Sequence, residues 1–456
     1  MPFIPHTDAD REAMLSAIGV ERLGDLFADV PEDVRFPKFD LPRARSELEV
    51  ERELRALASE SARLTERPGF LGAGTYRHFI PATVDSILRR GEFFTSYTPY
   101  QPEISQGFLQ ATFEYQSMIC ELTGMDVSTA SHYDGATALA EAVLLALSIH
   151  RGKRTRIVTS AGLHPQYREV VSTYLRGAKA ELVSPESIDG DGMDMVSLLD
   201  GNTAACVVQS PNYLGQLERI AELAERAHSV GALLIVVPDP VSLGLLRSPG
   251  ADGADIVAAE GRGLGIPLSF GGPNLGILAT RQAHVRRMAG RLVGETLDAE
   301  GERGYVLTLA TREQHIRREK ATSNICSNSA LMALAAAVYL ATLGRDGLRR
   351  VGQLCYHKSH YAAGQLARLP GCRINPQAPD RPFFKEFVLE LPIPAERANR
   401  SIESELGVLG GRPLDLDFEG QENRLLLAVT ELHTREDIDA LTSVVRGTIE
   451  SSGASR

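Results

Sequence analysis

The sequence predicts an α/β fold: a large α/β/α domain built on a sheet covered on both faces by helices, followed by a smaller α+β domain. Three observations predict it. Short apolar, β-branched runs recur between helical segments over residues 66–330, and these runs lack the polar alternation of a strand with one wet face. Strand candidates after residue 331 are fewer and lie among helical stretches. With 456 residues, 43% hydrophobic and 23% charged, the chain has ordinary globular composition, so disordered, collagen-like and coiled-coil classes do not fit.

Residues 1–65 read as an N-terminal helical arm, with Asp8 to Ile18 and Ser46 to Leu64 as helices joined by a proline-containing stretch around Phe36 to Pro42. Over Gln106 to Gly124 the spacing sets Phe108, Ala111, Tyr115, Met118 and Leu122 on one helical face, and Gly124 supplies the stop. Asp134 reads as the N-cap of a helix over Ala136 to Ile149. Strands are expected at Arg156–Thr159, Ala204–Gln209, Ala232–Val237, Asp255–Ala258 and Leu275–Ala279, all within the large domain of residues 66–330. A long Ala/Leu helix over Ser329–Leu343 leads into the small domain of residues 331–456, where Phe384–Leu391 and Arg424–Thr430 read as strands. Arg281, Arg286, Arg287 and Arg291 fall at helical spacing and read as a solvated face, with docking of an acidic partner as the alternative.

Lys and Arg number 48 against 59 Asp and Glu, and the net charge of −11 argues against a nucleic-acid binder, which needs a cationic surface. The five cysteines (Cys120, Cys206, Cys326, Cys355, Cys372) are scattered without C-x-x-C spacing, so neither a disulfide framework nor a zinc site is suggested. No signal-peptide pattern and no 18-residue apolar stretch is expected, which points to the cytoplasm. Only six residues are lysines (Lys38, Lys153, Lys179, Lys320, Lys358, Lys385), and none lies between Glu181 and Glu319.

Two glycine clusters do not make a dinucleotide site. Gly261-Arg-Gly-Leu-Gly265 runs into Ile266-Pro267 rather than a helix, and Gly69-Phe-Leu-Gly-Ala-Gly74 has the wrong spacing. The order of elements suits another cofactor better. In the commonest fold of pyridoxal-phosphate enzymes a small-residue turn opening a helix holds the phosphate, an Asp after a later strand pairs with the pyridinium nitrogen, and a Lys beyond the next strand forms the Schiff base. Here Ser131-His-Tyr-Asp-Gly-Ala-Thr137 opens a helix and Val236-Val-Pro-Asp239 ends a strand, so Thr137 and Asp239 are the vestigial cofactor-binding candidates. Both features also occur for structural reasons alone. His132 and His164 read as structural, and no metal is assigned.

Longer motifs specify a family. Phe70-Leu-Gly-Ala-Gly-Thr-Tyr-Arg-His-Phe-Ile-Pro81, Tyr97-Thr-Pro-Tyr-Gln-Pro-Glu-Ile-Ser-Gln-Gly107, Ala254-Asp-Ile-Val257, Gly271-Gly-Pro273 and Arg318-Glu-Lys-Ala-Thr-Ser-Asn-Ile-Cys326 resemble the glycine decarboxylase P-protein of the glycine cleavage system, in its separate N-terminal subunit. The resemblance runs from about residue 1 to 450 and implies the pyridoxal-phosphate-dependent transferase fold, type I. It implies a paralogous catalytic subunit 2 as partner, pyridoxal phosphate held by that partner, glycine as substrate, and the lipoyl arm of H-protein as co-substrate. Arg77 stands where the family has Asp or Asn.

The resemblance also sharpens the lysine question. The catalytic paralogue carries its Schiff-base lysine in a His-Lys-Thr-Phe-x-x-Pro stretch, five residues before the Pro; the matching Pro here is Pro267, and five residues before it is Arg262. A guanidinium stays protonated and cannot attack an aldehyde as a neutral amine. Lys320, inside the Arg317-Arg-Glu-Lys320 motif, is the other aldimine candidate, against an interface or salt-bridge role. Tyr97, Tyr100, Gln101, Glu103 and Gln106, set around Pro99 and Pro102, read as a wall of the partner's active site, with a structural loop as the alternative. In fold relatives this region crosses the dimer interface. The working form is then a hetero-oligomer, two of this chain with two of the paralogue. The competing expectations are an autonomous pyridoxal-phosphate lyase or aminotransferase, and a scaffold that stabilises the catalytic subunit.

Overall fold

The structure, a computed structural model, describes residues 5–66, 68–185, 192–326 and 329–453. The chain divides into two compact units, Met1–Ala62 and Arg63–Arg456. The first holds the helix Asp8–Ile18 and most of the helix Glu47–Glu66, close to the expected bounds. Thr7 caps the earlier helix by accepting from the Asp10 amide while the Asp10 carboxylate accepts from the Thr7 amide, a reciprocal box that satisfies orphan donors. In the same unit Phe27 and Phe36 meet edge to face, 5.2 Å between centroids.

The second unit carries thirteen strands among the described residues. They are β1 (Val127–Ser128), β2 (Arg156–Thr159), β3 (Glu181–Val183), β4 (Thr203–Ser210), β5 (Leu233–Pro238), β6 (Ile256–Glu260), β7 (Gly276–Thr280), β8 (Leu292–Leu297), β9 (Arg303–Thr308), β10 (Arg373–Ile374), β11 (Glu386–Glu390), β12 (Arg412–Pro413) and β13 (Arg424–Ala428). Seven form one sheet in the order β1-β7-β6-β5-β4-β2-β3. Its pairings from β3 through β2, β4 and β5 to β6 are parallel, whereas β7 runs antiparallel to β6 and β1 to β7. Every expected strand of this sheet is present within a residue or two.

The two-residue period of a strand sorts its side chains onto two cores. Val158, Cys206, Val208, Leu234, Val236, Val257 and Ala259 face one side, where helices Gln106–Thr123, Ile220–Ser229 and Ala330–Leu366 pack. Ile157, Ala205, Val207, Ile235, Val237, Ile256 and Ala258 face the other, under helices Gly135–Ile149 and Pro165–Leu175. Burial on both faces is why these strands read as unbroken apolar runs.

A second, antiparallel sheet has the order β10-β11-β13-β12. Phe387, Leu389, Leu425 and Leu427 pack under helices Ala395–Leu406 and Arg435–Gly453. On its other face Val388 and Leu426 meet Tyr213 and Leu214, which follow β4. Gly215 makes this approach possible: at φ 85° a Cβ there would lie 2.0 Å from the Glu386 carbonyl oxygen.

Several expectations change. The helix Gln106–Thr123 ends at Gly124 as expected, with φ 71°, but it buries Leu109, Thr112, Tyr115, Gln116, Ile119 and Thr123. Of the expected face Tyr115 is buried and Met118 and Leu122 pack, partly buried, against the same core, while Leu109 and Phe113 face the β8–β9 hairpin, which the helix also covers. That hairpin was not anticipated. Arg281, Arg286, Arg287 and Arg291 do not make one helical face, since only Gln282–Arg287 is helical and it is a short 3₁₀ segment. Arg281 donates to the carbonyls of Gly124, Gly250 and Ala254, and Arg291 is buried against Glu313.

The Ala/Leu helix runs to Leu366, interrupted at Gly344 (φ 59°, ψ −173°). By length and composition it is apolar enough to cross a membrane, contrary to the expectation that no such stretch exists. Its buried Ala333, Ala335, Ala336, Ala337, Tyr339, Leu348 and Cys355 belong to the core beneath the large sheet.

Candidate functional site

The carboxyl ends of the parallel strands open into a cavity of about 310 Å³, the crevice in which open α/β sheets place ligands. Asp239 follows β5, while Glu260 ends β6 and Arg262 lies two residues on. Asp134 and Ala136 flank the start of the helix Gly135–Ile149. The segment Ala73–Tyr76, Lys385 and the first residue of β11, Glu386, close the cavity.

Charge in this cavity is paired internally. Lys385 Nζ lies 2.6 Å from Asp239 Oδ2, with the lysine side chain 2% exposed. The same ammonium sits 3.9 Å from the centre of the Tyr76 ring and donates to His78 Nε2 at 3.0 Å. Burial opposes ionisation of Asp239, but the charge and hydrogen bond of Lys385, together with His78 and the Val241 amide, outweigh it and hold the carboxyl below its ordinary value.

An ammonium only donates, so His78 accepts at Nε2 and carries its proton on Nδ1. That proton goes to Glu431 Oε2 at 2.8 Å, and the Phe79 amide donates to Glu431 Oε1 at 2.6 Å. Burial works against the Glu431 carboxylate, yet the His78 hydrogen bond and these further contacts hold it down at about 2. His78, Cys355 and Glu431 stand close enough to share a metal, but with Nδ1 protonated and Nε2 facing an ammonium, the ring has no free lone pair to offer.

The start of the helix Gly135–Ile149 is also occupied from within. Its N-cap Asp134 accepts from the Thr137 amide at 2.7 Å, and Thr137 Oγ1 donates back to Asp134 at 2.9 Å. The Gly135 amide donates to Glu260 Oε2 at 3.0 Å. Glu260 Oε1 accepts from the amides of Arg262 (3.0 Å) and Leu275 (3.2 Å). Burial pushes the Glu260 carboxyl above its ordinary value despite these donors. The Arg262 guanidinium is hydrogen-bonded to the Asn274 side chain.

Glu386 completes the wall. Its oxygens accept from the Ala73 amide at 2.7 Å and the Tyr76 hydroxyl at 2.8 Å, and burial raises its carboxyl to about 7.

Arg262 and Asp239 are therefore brought together in one cavity, as the order of motifs suggested. Thr137 is spent on its helix cap and does not line the cavity. His164 caps the helix Pro165–Leu175 through its side chain and lines the cavity beside Tyr167, and His132 is wholly buried. Lys320 is exposed in a 3₁₀ turn and is absent from the lining.

Nor do Tyr97, Tyr100, Gln101, Glu103 and Gln106 line this cavity. Tyr97 is 78% exposed and Tyr100 51%. Gln106 is a structural clamp: its amide donates to the carbonyls of Pro102 and Tyr305 and accepts from the Tyr305 amide. Sequence reasoning missed Lys385, Glu260 and Glu386. A buried lysine beside a strand was the available signal for the first, because apolar neighbours such as Phe383, Phe384 and Phe387 surround it in the sequence.

A mixed sheet covered by helices, with an Asp leaving a central strand into a cavity at the strand ends, defines the class: the fold of pyridoxal-phosphate-dependent enzymes, type I. A sphingosine-1-phosphate lyase of Burkholderia pseudomallei shares that fold, with a TM-score of 0.65 over 92% of this chain and 94% of that one at 16% identity. The family described as glycine cleavage system P-protein matches residues 1–445, and the chain belongs to it. It is 54% identical over 449 residues to a probable glycine dehydrogenase (decarboxylating) subunit 1 of Thermomicrobium roseum, covering 98% of this chain and 99% of that protein. It is 52% identical over 451 residues to a protein of the same description from Moorella thermoacetica, covering 98% and 99%. A crystal structure of glycine decarboxylase (P-protein) of the glycine cleavage system, in inhibitor-bound form, matches with TM-score 0.89 and 46% identity over 98% of this chain and 100% of that one.

The residues present do not fit pyridoxal phosphate bound within this chain. Asp239 already has its cation, and the first helix amide already has its carboxylate. Of the cavity's Arg and Lys side chains, Arg262 cannot form an imine and Lys385 is engaged by Asp239 and the Tyr76 ring.

Proposed function

We propose that this chain is subunit 1 of a two-subunit glycine decarboxylase P-protein of the glycine cleavage system, working in the cytoplasm. Paired with a paralogous catalytic subunit that holds pyridoxal phosphate through a Schiff-base lysine, it takes part in decarboxylating glycine and passing the aminomethyl group to the lipoyl arm of H-protein. Family membership and the subunit 1 description of the relatives support this reading. The observation that carries it is the cavity itself: the fold is complete, yet Arg262 stands where the family resemblance expects the lysine and Lys385 neutralises Asp239.

This chain's contribution is then to shape and position. Tyr97, Tyr100, Gln101 and Glu103 lie outside their own cavity, around Pro99 and Pro102, where they are available to a neighbour's site. Within the N-terminal unit Phe39 and Leu41 are 75% and 74% exposed, and Leu48, Leu54 and Leu57 are exposed along the helix Glu47–Glu66. Such apolar surface suits a permanent subunit interface.

The test is reconstitution. This chain and the paralogous subunit are purified separately and together, and release of carbon dioxide from carboxyl-labelled glycine is followed with lipoylated H-protein. Activity is expected only from the pair. Decarboxylation by this chain alone would favour an autonomous lyase, and full activity of the paralogue alone would leave this chain a scaffold.

A further inference from the structure

A cofactor of this fold presents two charges to its protein: a phosphate anion for a helix N-terminus and a ring-nitrogen cation for a carboxylate. The cavity has both receiving points, the 15-residue helix beginning at Gly135 and Asp239 at the end of β5. At the first, a carboxylate oxygen of Glu260 lies 3.0 Å from the Gly135 amide. The approach is close enough that a Cβ on Gly135 would fall 2.4 Å from the Tyr167 hydroxyl and 2.8 Å from the Glu260 amide nitrogen. At the second, the ammonium of Lys385 lies 2.6 Å from Asp239. The two side chains come from separate parts of the fold, one from β6 of the large sheet and one from the residue just before β11 of the small sheet. Each has the sign of the cofactor charge whose place it takes.

We propose that this chain carries an internal substitute for the cofactor, in which Glu260 fills the phosphate seat and Lys385 fills the ring-nitrogen seat. The cavity is thereby held in shape without a ligand and closed to pyridoxal phosphate at two points besides the missing lysine. A buried helix end and a buried carboxylate each need a partner of opposite charge, and a subunit that never loads the cofactor must supply both itself. This rests on the reading that the chain carries no cofactor of its own.

The test uses the full chain, with inorganic phosphate and pyridoxal phosphate as probes. Wild type is expected to show no phosphate-dependent rise in melting temperature. Glu260→Ala, which frees the Gly135 amide, is expected to gain a rise of about 2 °C or more. Borohydride trapping after incubation with pyridoxal phosphate, with labelled peptides mapped by mass spectrometry, is expected to leave Arg262→Lys unlabelled at position 262. A phosphate response in wild type, none in folded Glu260→Ala, or a stoichiometric label at position 262 in Arg262→Lys would each overturn the proposal. Should Glu260→Ala fail to fold, the labelling of Arg262→Lys decides: no label supports the closed cavity and a label refutes it. A stoichiometric label on Lys385 or Lys320 of wild type would remove the cofactor-free reading as well. An unlabelled wild type with no phosphate gain in Glu260→Ala removes this inference alone.

Discussion

Removing the Lys385 ammonium, as in Lys385→Met, leaves the Asp239 carboxylate buried without its cation, and the expected loss of folding stability is about 3–5 kcal/mol. Asp239→Asn combined with Lys385→Met should cost clearly less than the single change, because neither charge is then stranded; urea unfolding of the three variants measures the difference. Glu386 gives a pH dependence of definite sign. Buried, it titrates at about 7 in the folded chain against an ordinary 4.5, so between those values the folded state holds the extra proton. Stability therefore falls as pH rises through that window, by about 3 kcal/mol in all. Glu386→Gln should flatten this part of the stability profile; an unchanged slope would mean that the carboxyl is not the titrating group. Glu431 acts oppositely: its depressed carboxyl gives stability that is lost as pH falls from about 4.5 toward 2. None of these pairings was legible in the sequence. Asp239 and Lys385 are 146 positions apart and His78 and Glu431 are 353 apart, and only folding makes them neighbours.

The segment Tyr97 to Gln106 shows how one element divides its work. Gln106 joins the helix Gln106–Thr123 to β9 through both backbone groups of Tyr305. Gln106→Ala should destabilise the chain by about 1–3 kcal/mol, since backbone groups of a buried residue are left unpaired; thermal unfolding reads this directly. Tyr100→Phe and Glu103→Ala should instead leave stability and assembly intact while lowering turnover of the reconstituted enzyme. Full activity in both would make the segment a structural loop. Helices and strands were largely readable because caps and periodicity are local: Asp134 and Gly124 mark their helix ends, and β2 lies where its apolar run predicts. The buried face of Gln106–Thr123 was read only in part: Tyr115, Met118 and Leu122 meet the core, but Leu109 and Phe113 are covered by the β8–β9 hairpin. That hairpin's own residues, including Glu295, Thr296, Arg303 and Thr308, offer little apolar contrast.

At the scale of the whole molecule, a chain with the complete fold and a self-filled cavity is expected to act through a neighbour. Light scattering on the co-expressed pair should give a mass near two copies of each subunit, and a monodisperse monomer that ignores the paralogue would count against it. Permanent interfaces of this kind bury more than about 2,000 Å² and are apolar like a core, so the separate chain is expected to self-associate. The sequence by itself determined the fold class, five of the seven strands of the large sheet (β1 and β3 were not read), the family and the arginine five residues before Pro267. These are carried by local periodicity and by contiguous motifs, which survive in one dimension. Only the tertiary structure decided that Lys385 reaches Asp239, that Glu260 meets the first helix amide, and that Tyr97 and Tyr100 lie outside their own cavity. Those facts depend on how the small sheet docks against the large one and where each strand ends, and no stretch of sequence contains both sides of any such contact.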